Sequence, residues 1–545
     1  MSAAGLAGAA ATRFAAPAAA RDDQAFVHGV ASGDPLPEAV ILWTRVTPVA
    51  GADPGSGRGP SATVRWEIAR DSGFSRIVRS ATVVTTADRD HTVKVDVTGL
   101  TPGTRYYYRF TLVDGPRAGQ RSRTGRTWTA PATAAAVDRL RIGVCSCANY
   151  EAGYFQAYRA MAQRDDLDLV LHLGDYTYEY GTGEYPGVYG TTVRRTAPDH
   201  DTVTPADYRI RFGRYRSDPD LALLHARVPF LCMWDDHESA NDSWRNGAEN
   251  HDPAKQGSWR ARKAASTQAY FEWMPVRPNA IRGGQHLYRR LRFGSLAEII
   301  VPDLRSYRDE QLSMTDFREQ QDTNRTMTGK QQYRWLEDSV TTSGARWQVV
   351  GTSVMIAPLV IPTTVDPQVS ALLRDQIGIS EDGVALNLDQ WDGYPAERRS
   401  LLKAIDKAGR KGVVFVTGDI HSSWASELPL SAGHYGRDAR GRVAACEFVA
   451  PSITSASVYD TIATSRALAP AAAAATTAAE QALPVADPWI KQVELTRHGY
   501  GVLEVTRDTA GMRYYFVDDV LRRSSAVRLG FAWHTRYGKP GLRRG

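Results

Sequence analysis

Residues able to hold a metal recur in this sequence directly after short apolar runs. Cys147 follows the run Arg139–Cys145, and Asp175 with Tyr178 follows Leu167–Leu173. The block Trp234-Asp-Asp-His-Glu238 follows Val228–Met233, and Gly418-Asp419-Ile-His421 follows Gly412–Thr417. Taken singly, an Asp after a Gly is ordinarily a turn or a helix cap, and a strand-end Cys is ordinarily small core filler. Four such endings together point to one crevice, because the carboxyl ends of strands in an open α/β sheet form the ligand site. Asp419 and His421 lie two apart, so their side chains can leave a strand end on the same face and serve one metal each. Asp175 is the candidate for a carboxylate shared between two metals, the arrangement that neutralises phosphoryl oxygens and supplies a metal-held oxygen nucleophile. A carboxylate and a phenolate suit a hard trivalent ion such as Fe3+, whereas oxygen-only ligation suits Ca2+ or Mg2+. Cys145 and Cys147 are also two apart, so spacing leaves both open.

The elements that must position these residues fall into two patterns. From Phe26 to about Ala130 the chain reads as all β, in β-branched runs such as Val40–Arg45, Ala62–Ile68, Ser80–Thr85 and Thr92–Val97 separated by turn residues. Leu100–Phe110 places a turn ahead of an aromatic strand and resembles the tyrosine corner of fibronectin-type sandwiches. After the loop Pro131–Ala136 the pattern becomes βαβ, with strands at Arg139–Cys145 and Leu167–Leu173 around a helix at Tyr154–Arg164, which predicts a mainly parallel sheet. Further strands are expected at Val228–Trp234, Glu298–Pro302, Trp347–Val354, Gly412–Thr417 and Cys446–Val449, with a closing hairpin over Gly501–Val517. The Ala-rich stretch 467–482 reads as an insert, a surface helix or mobile loop. The division is a leader over 1–23, a β-sandwich over 24–130, an α/β domain over 137–520 and a C-terminal extension over 521–545.

A chain of 545 residues suits two domains, and 43% hydrophobic content gives it a real core. Net charge is +6, with Lys and Arg scattered, which favours anionic small substrates but is not a nucleic-acid footprint. Four cysteines cannot make a disulfide framework at this size. No run of 18 apolar residues spans a membrane. Met1–Ala20 is rich in Ala and Gly and ends in a small-residue cleavage pattern, which reads as the tail of a signal peptide, the alternative being a disordered Ala-rich leader on a cytosolic protein. The expectation is a secreted monomer, exported folded by the twin-arginine route although no twin-Arg leader segment is present.

Here the residues resemble a family. Gly174-Asp175-x-x-Tyr178 looks like the GDxxY block of purple acid phosphatases and PhoD-type alkaline phosphatases, Trp234–Glu238 resembles the WDDHE block of the PhoD type, and Gly418–His421 its GDxH block. Phe26–Asp34, Asp303–Arg308, Trp391–Arg398 and Pro451–Thr454 fit the same pattern, over roughly residues 25–520. The resemblance implies a four-layer α-β-β-α metallophosphoesterase domain behind a fibronectin- or Ig-like β-sandwich, acting on phosphomonoesters, phosphodiesters or both.

Carried over residue by residue, it implies Fe3+ on Cys147, Asp175, Tyr178 and His421, with Ser146-Cys147 matching the family's Ser-Cys pair. A Ca2+ site would use Asp175, Asp236 and Asp419. His237 would act as acid or transition-state stabiliser, or merely orient a ligand. Arg305 would hold a phosphate oxygen, or else pair with Asp303 on a loop; Asn241 would support the site from behind. Where relatives with two transition metals carry another His, Val349–Val354 has none, which favours an alkaline-earth ion over zinc. The alternative enzyme is a phospholipase D-like phosphodiesterase on the same scaffold. A secreted adhesion protein with a decayed site is opposed by the intact Asp175, Tyr178, Asp236, His237, Asp419 and His421.

Overall fold

The computed structural model describes residues 25–277, 279–281, 284–361, 374–376 and 378–545. The expected leader, 1–23, lies outside them.

Two large sheets dominate. The first has ten strands in the order Lys539–Arg544, Val527–Arg536, Thr509–Val517, Gly499–Thr506, Arg139–Cys145, Leu169–His172, Phe230–Cys232, Val30–Leu36, Ala39–Arg45 and Thr92–Thr98. Its centre is parallel, from Arg139–Cys145 across to Val30–Leu36. The second has seven strands, with Ala297–Val301, Trp347–Thr352, Val413–Thr417 and Val443–Val449 running parallel at its heart.

Alternation along the second sheet shows what it packs against. Ile299, Val349, Val414 and Val416 join the core shared with the first sheet, while Ile300, Val350, Val413 and Phe415 face the opposite way. There they meet Leu336 and Val340 of the helix Lys330–Thr342 and Leu401, Leu402 and Ile405 of the helix Pro395–Lys407. Successive strand residues point to opposite faces, so a strand buried on both sides must be apolar throughout. The helices Gln156–Ala162 and Pro219–Arg227 pack on the first sheet through Ala157, Tyr158, Met161, Leu221 and Leu224. The order is helices, sheet, sheet, helices.

The N-terminal strands do not stand apart. Ile77–Thr85, Ala62–Ala69, Arg105–Leu112 and Gly125–Trp128 form their own four-stranded sheet. Its apolar face (Val64, Ile68, Tyr106, Tyr108, Phe110) closes on Val30, Val40, Leu42, Val93 and Val97, which belong to the ten-stranded sheet. The facing layer is thus lent by the larger sheet. The aromatic corner is present as a hydrogen bond from the Thr101 amide to the Tyr106 hydroxyl, 2.9 Å.

Two details depart from the pattern-based reading. The strand expected at Val228–Trp234 is confined to Phe230–Cys232. The hairpin Gly501–Val517 does not close the sheet, since residues 527–544 of the expected extension add two more strands to its edge. The Ala-rich stretch takes the first of its two expected forms, a helix over Ala469–Ala486. Among the described residues no helix is long and apolar enough to cross a membrane.

Candidate metal centre

The carboxyl ends of the parallel strands of both sheets converge on one place. Cys147 comes two residues after the strand Arg139–Cys145, Asp175 three after Leu169–His172, and Asp235 three after Phe230–Cys232. Arg305 follows Ala297–Val301, Asp419 and His421 follow Val413–Thr417, and Ser452 follows Val443–Val449. The backbone turns sharply at each end. Cys147, Asp175, Asp419 and His421 all have left-handed φ, at 59°, 52°, 63° and 50°. L-residues take this region at a cost, and such strain gathers at sites that over-determine the side-chain direction. Glycine makes the approach possible: a Cβ on Gly174 would lie 2.5 Å from Asp235 Cβ, and one on Gly418 would lie 2.7 Å from Ser146 Oγ.

Three groups of potential ligands result, each with donor atoms within 4.8 Å of one another: Cys147, Asp175 and His421; Asp175, Asp236 and His237; and Asp235, Asp236 and Asp419. Asp175 belongs to the first two and Asp236 to the last two, so the set expected for calcium, Asp175, Asp236 and Asp419, is divided between the second group and the third. Asp175 Oδ2 accepts the Tyr178 hydroxyl at 3.0 Å, while the buried Oδ1 has no hydrogen-bond partner among the described residues. Tyr178 Oη also lies 3.2 Å from His421 Nε2. All but Asp419 and His421 are buried, so solvent reaches the cluster from the side of those two residues. Cys145 points elsewhere, into the apolar core.

Burial leaves this cluster short of positive charge. Desolvation first, then nearby carboxylates, hold Asp175 and Asp419 well above the usual carboxylate range, against the pull of His237 and Arg305 respectively. Burial and then Asp175 push the Cys147 thiol and the Tyr178 phenol well up. Burial brings His421 down to about 4. A bound cation reverses the shifts on acid, thiol and phenol, since metals lower the pKa of what they bind. Carboxylate, thiol, phenol and imidazole donors around a bare Asp175 oxygen therefore fit a metal.

His237 brings positive charge to the cluster beside Arg305. Burial opposes its charge, but Asp236, Glu179 and Asp175 raise its pKa well above the ordinary value. Its Nδ1 is 2.7 Å from Glu179 Oε2, and its ring lies on Tyr178 at 4.1 Å, which leaves Nε2 for the site. Asn241 supports this from behind through its backbone, whose N–H donates to Glu179 Oε1 at 2.6 Å. Tyr176 turns away to His225 Nε2, 2.9 Å, and Tyr180 flanks His237 at 5.6 Å.

Arg305 corrects an expectation. It lies on a loop, but it is buried there and is not aimed at open space. Its Nε donates to Asp235 Oδ1, Nη1 to Asp389 Oδ1 at 2.8 Å, and Nη2 to Asp235, Asp389 and Asp419 at 3.1, 2.9 and 3.1 Å. A fork spent on three carboxylates fixes their spacing and is not presented to a phosphate oxygen.

Several members escaped the sequence reading. Asp235 and Glu238 sit inside the quoted Trp234–Glu238 block; Glu238 accepts the backbone N–H groups of Asp175, Tyr176 and Asp235 at 3.1, 2.6 and 2.7 Å, fixing the Asp175 turn. Asp389 and Gln390, the latter bonded to Asp419, come just before the quoted Trp391–Arg398 stretch. Ser455, 2.6 Å from the Tyr178 hydroxyl, directly follows Pro451–Thr454. Adjacency to a block was the signal available. Glu179 carried none beyond following Tyr178.

Comparison with known proteins bears on this arrangement. A family model described as PhoD-like phosphatase matches residues 142–514, and one described as PhoD-like phosphatase, N-terminal domain, matches residues 9–131. A Bacillus subtilis (strain 168) protein named alkaline phosphatase D is 38% identical over 442 residues, covering 79% of this chain and 69% of that protein. A solved structure of PhoD superposes with a TM-score of 0.81 at 32% identity, covering 97% of this chain and 93% of the other. A purple acid phosphatase from yellow lupin (Lupinus luteus) seeds shares the fold, with a TM-score of 0.51 at 10% identity over 93% of this chain and 73% of its own.

Proposed function

This chain belongs to the PhoD-like phosphatase family and is a phosphoric ester hydrolase, and on that premise we propose an exported enzyme that hydrolyses phosphomonoesters and phosphodiesters at an Fe3+/Ca2+ centre. Asp175 carries the reading: one buried carboxylate belongs to two donor groups, with Cys147 and His421 in one and with Asp236 and His237 in the other, and keeps one oxygen unpartnered among the described residues. Cys147, Asp175, Tyr178 and His421 would hold the iron, a donor set suited to a trivalent ion, and Asp175, Asp236 and Asp419 the calcium, with oxygen alone. Bound there, the ions supply charge neutralisation for the phosphoryl oxygens and a nucleophile available at neutral pH.

The chain's own residues do the rest. His237, anchored at Nδ1 by Glu179, presents Nε2 to the leaving-group oxygen as proton donor. Arg305 holds Asp235, Asp389 and Asp419 at fixed separations, and Glu238 fixes the backbone that aims Asp175. Residues 137–545 would act as the catalytic unit, with the N-terminal strands completing its large sheet. Export rests on the Ala-rich leader. Nothing in the geometry favours a phospholipase D-like activity.

The test compares as-purified and chelator-stripped protein on p-nitrophenyl phosphate and its bis-ester. Turnover lost on stripping and restored by Fe3+ with Ca2+ supports the reading, and full turnover after stripping overturns it. Phenolate bound to Fe3+ absorbs visible light, so Tyr178→Phe should bleach the protein while Tyr176→Phe and Tyr180→Phe leave its colour. An active, iron-replete, colourless native protein would remove Tyr178 from the ligands.

A further inference from the structure

A Ser–His–Asp arrangement lies behind the proposed iron ligands. Ser452 Oγ is 2.9 Å from His498 Nδ1, and His498 Nε2 is 2.8 Å from Asp460 Oδ2. All three residues are buried. The partners match a nucleophilic triad, but triads are recognised by role. Ser452 is wholly enclosed, at 0% exposure, and its hydroxyl donates to the Ser455 carbonyl at 2.8 Å, so it has no access to a substrate.

What the three residues do hold is the loop 452–457, and that loop touches two proposed ligands. The Ala456 carbonyl lies 2.9 Å from His421 Nδ1, which fixes the ring with its proton there and turns Nε2 toward Asp175 and Tyr178. Ser455 Oγ lies 2.6 Å from the Tyr178 hydroxyl and 2.8 Å from the Cys147 carbonyl. The Ile453 amide donates to the Ser146 carbonyl at 3.0 Å, beside the cysteine. One short loop therefore sets the orientation of an imidazole and a phenol and braces the backbone of a thiol.

The loop is clamped at both ends. At its start, Ser452 bonds His498, and the next residue, Gly499, which opens the strand Gly499–Thr506, donates its N–H to the Ser452 carbonyl at 2.9 Å. At its end, Asp460 Oδ2 accepts the Ser457 N–H at 2.9 Å while Ser457 Oγ accepts the Asp460 N–H at 3.2 Å, a capping box that opens the helix Val458–Ile462. The same Asp460 oxygen thus ties the loop's end to His498, and His498 ties it to the loop's start. The Ala-rich helix joins in: its Glu480 accepts the Leu495 amide at 2.8 Å, and Thr496 takes the Ser457 hydroxyl at 3.2 Å, steadying the turn that carries His498.

We propose that Asp460, His498 and Ser452 are positioning residues that lock the 452–457 loop and through it orient His421 and Tyr178. This rests on the reading of those two residues as metal ligands. Partners of this kind change metal affinity or activity by about 10–100-fold when lost.

The test uses the full chain with His498→Ala and the milder Asp460→Asn, beside Val505→Ala, a core change on the same strand as Gly499 that leaves the clamp intact. In the iron-loaded protein, both clamp variants should bind iron about 10–100-fold more weakly and shift the visible band, His498→Ala the more. Val505→Ala should lower thermal stability without either change. Equal iron loss in all three would reduce the clamp to ordinary packing and overturn the proposal. Hydrogen exchange on metal-free protein separates this from the iron reading: the 452–457 amides should exchange at least tenfold faster in His498→Ala, with the strand Val413–Thr417 unchanged. If the native protein binds no iron, the iron reading falls and exchange alone decides. Unchanged exchange in both clamp variants overturns the proposal.

Discussion

The core under the N-terminal four-stranded sheet and the cluster at the facing strand ends are both largely buried, yet they are built on opposite terms. In the first, Val64, Ile68, Tyr106, Tyr108 and Phe110 interdigitate with Val30, Val40 and Leu42, and the left-handed φ of non-glycine residues nearby falls on Phe74, Asp90 and His91 in turns and on Asp34 at a strand irregularity, none of them among these packing residues. In the second, left-handed φ falls on Cys147, Asp175, Asp419 and His421 themselves, and four carboxylates (Asp235, Asp236, Asp389 and Asp419) crowd around the guanidinium of Arg305, with only Asp389 also paired to Arg308. Apolar burial stabilises by about 25 cal/mol per Å2 removed from water, whereas buried like charges cost several kcal/mol unless a counter-charge joins them. One region contributes stability and the other consumes it, which is the trade expected where a fold carries a site.

The largest effect should come from Asp175→Asn, which neutralises the shared carboxylate and keeps its shape. Turnover should fall by about 1,000-fold or more, since metals contribute both charge neutralisation and nucleophile. Bound iron and calcium should drop together on elemental analysis, and full retention of both would end the bridging role. The metal-free variant should melt no lower than metal-free native protein, because the carboxyl it replaces is one whose ionisation burial already opposes; a clear loss would contradict the contrast drawn above. Phe110→Ala is the reciprocal change. It removes a wholly buried ring packed edge-on against Tyr108 and should cost about 3–5 kcal/mol in denaturant unfolding, with the metal content of folded protein intact.

A finer cut separates two cysteines two residues apart. Cys147→Ala should abolish iron binding, while Cys145→Ala should cost only about 1 kcal/mol of packing; the reverse pattern of iron loss would reassign the ligand. The smallest effect lies at the joint between the two regions. Lys94 donates to the Phe271 carbonyl, and burial, only partly offset by Asp34 and Glu272, pushes its pKa down to about 8 from 10.5. A base with a depressed folded pKa destabilises the fold below that value, and the penalty fades as pH rises toward 10.5. Lys94→Met should therefore raise the melting temperature at pH 7 by a few degrees and bring no gain near pH 10.5, and a gain independent of pH would rule out the charge as its cause.

The sequence by itself determined the residue types and the places where they leave the sheets. Alternation and β-branched runs marked the central strands, because a strand buried on both faces can be filled only by apolar residues. The Gly-Asp pairs at 174–175 and 418–419 marked where the backbone must turn closely. It also marked Asp236 and His237, which sit in one unbroken block. What it did not contain was who meets whom. Cys147, Asp175 and His421 are joined only because parallel strands return through long crossovers before their ends align. Arg305 looked like a phosphate binder until folding surrounded it with Asp235, Asp389 and Asp419. Ser452, Asp460 and His498 gave no local sign of belonging together, since their contact spans the Ala-rich helix that separates them in sequence. Local pattern is fixed by backbone geometry within a few residues, whereas a site assembled from six strand ends in two sheets exists only once the sheets have packed.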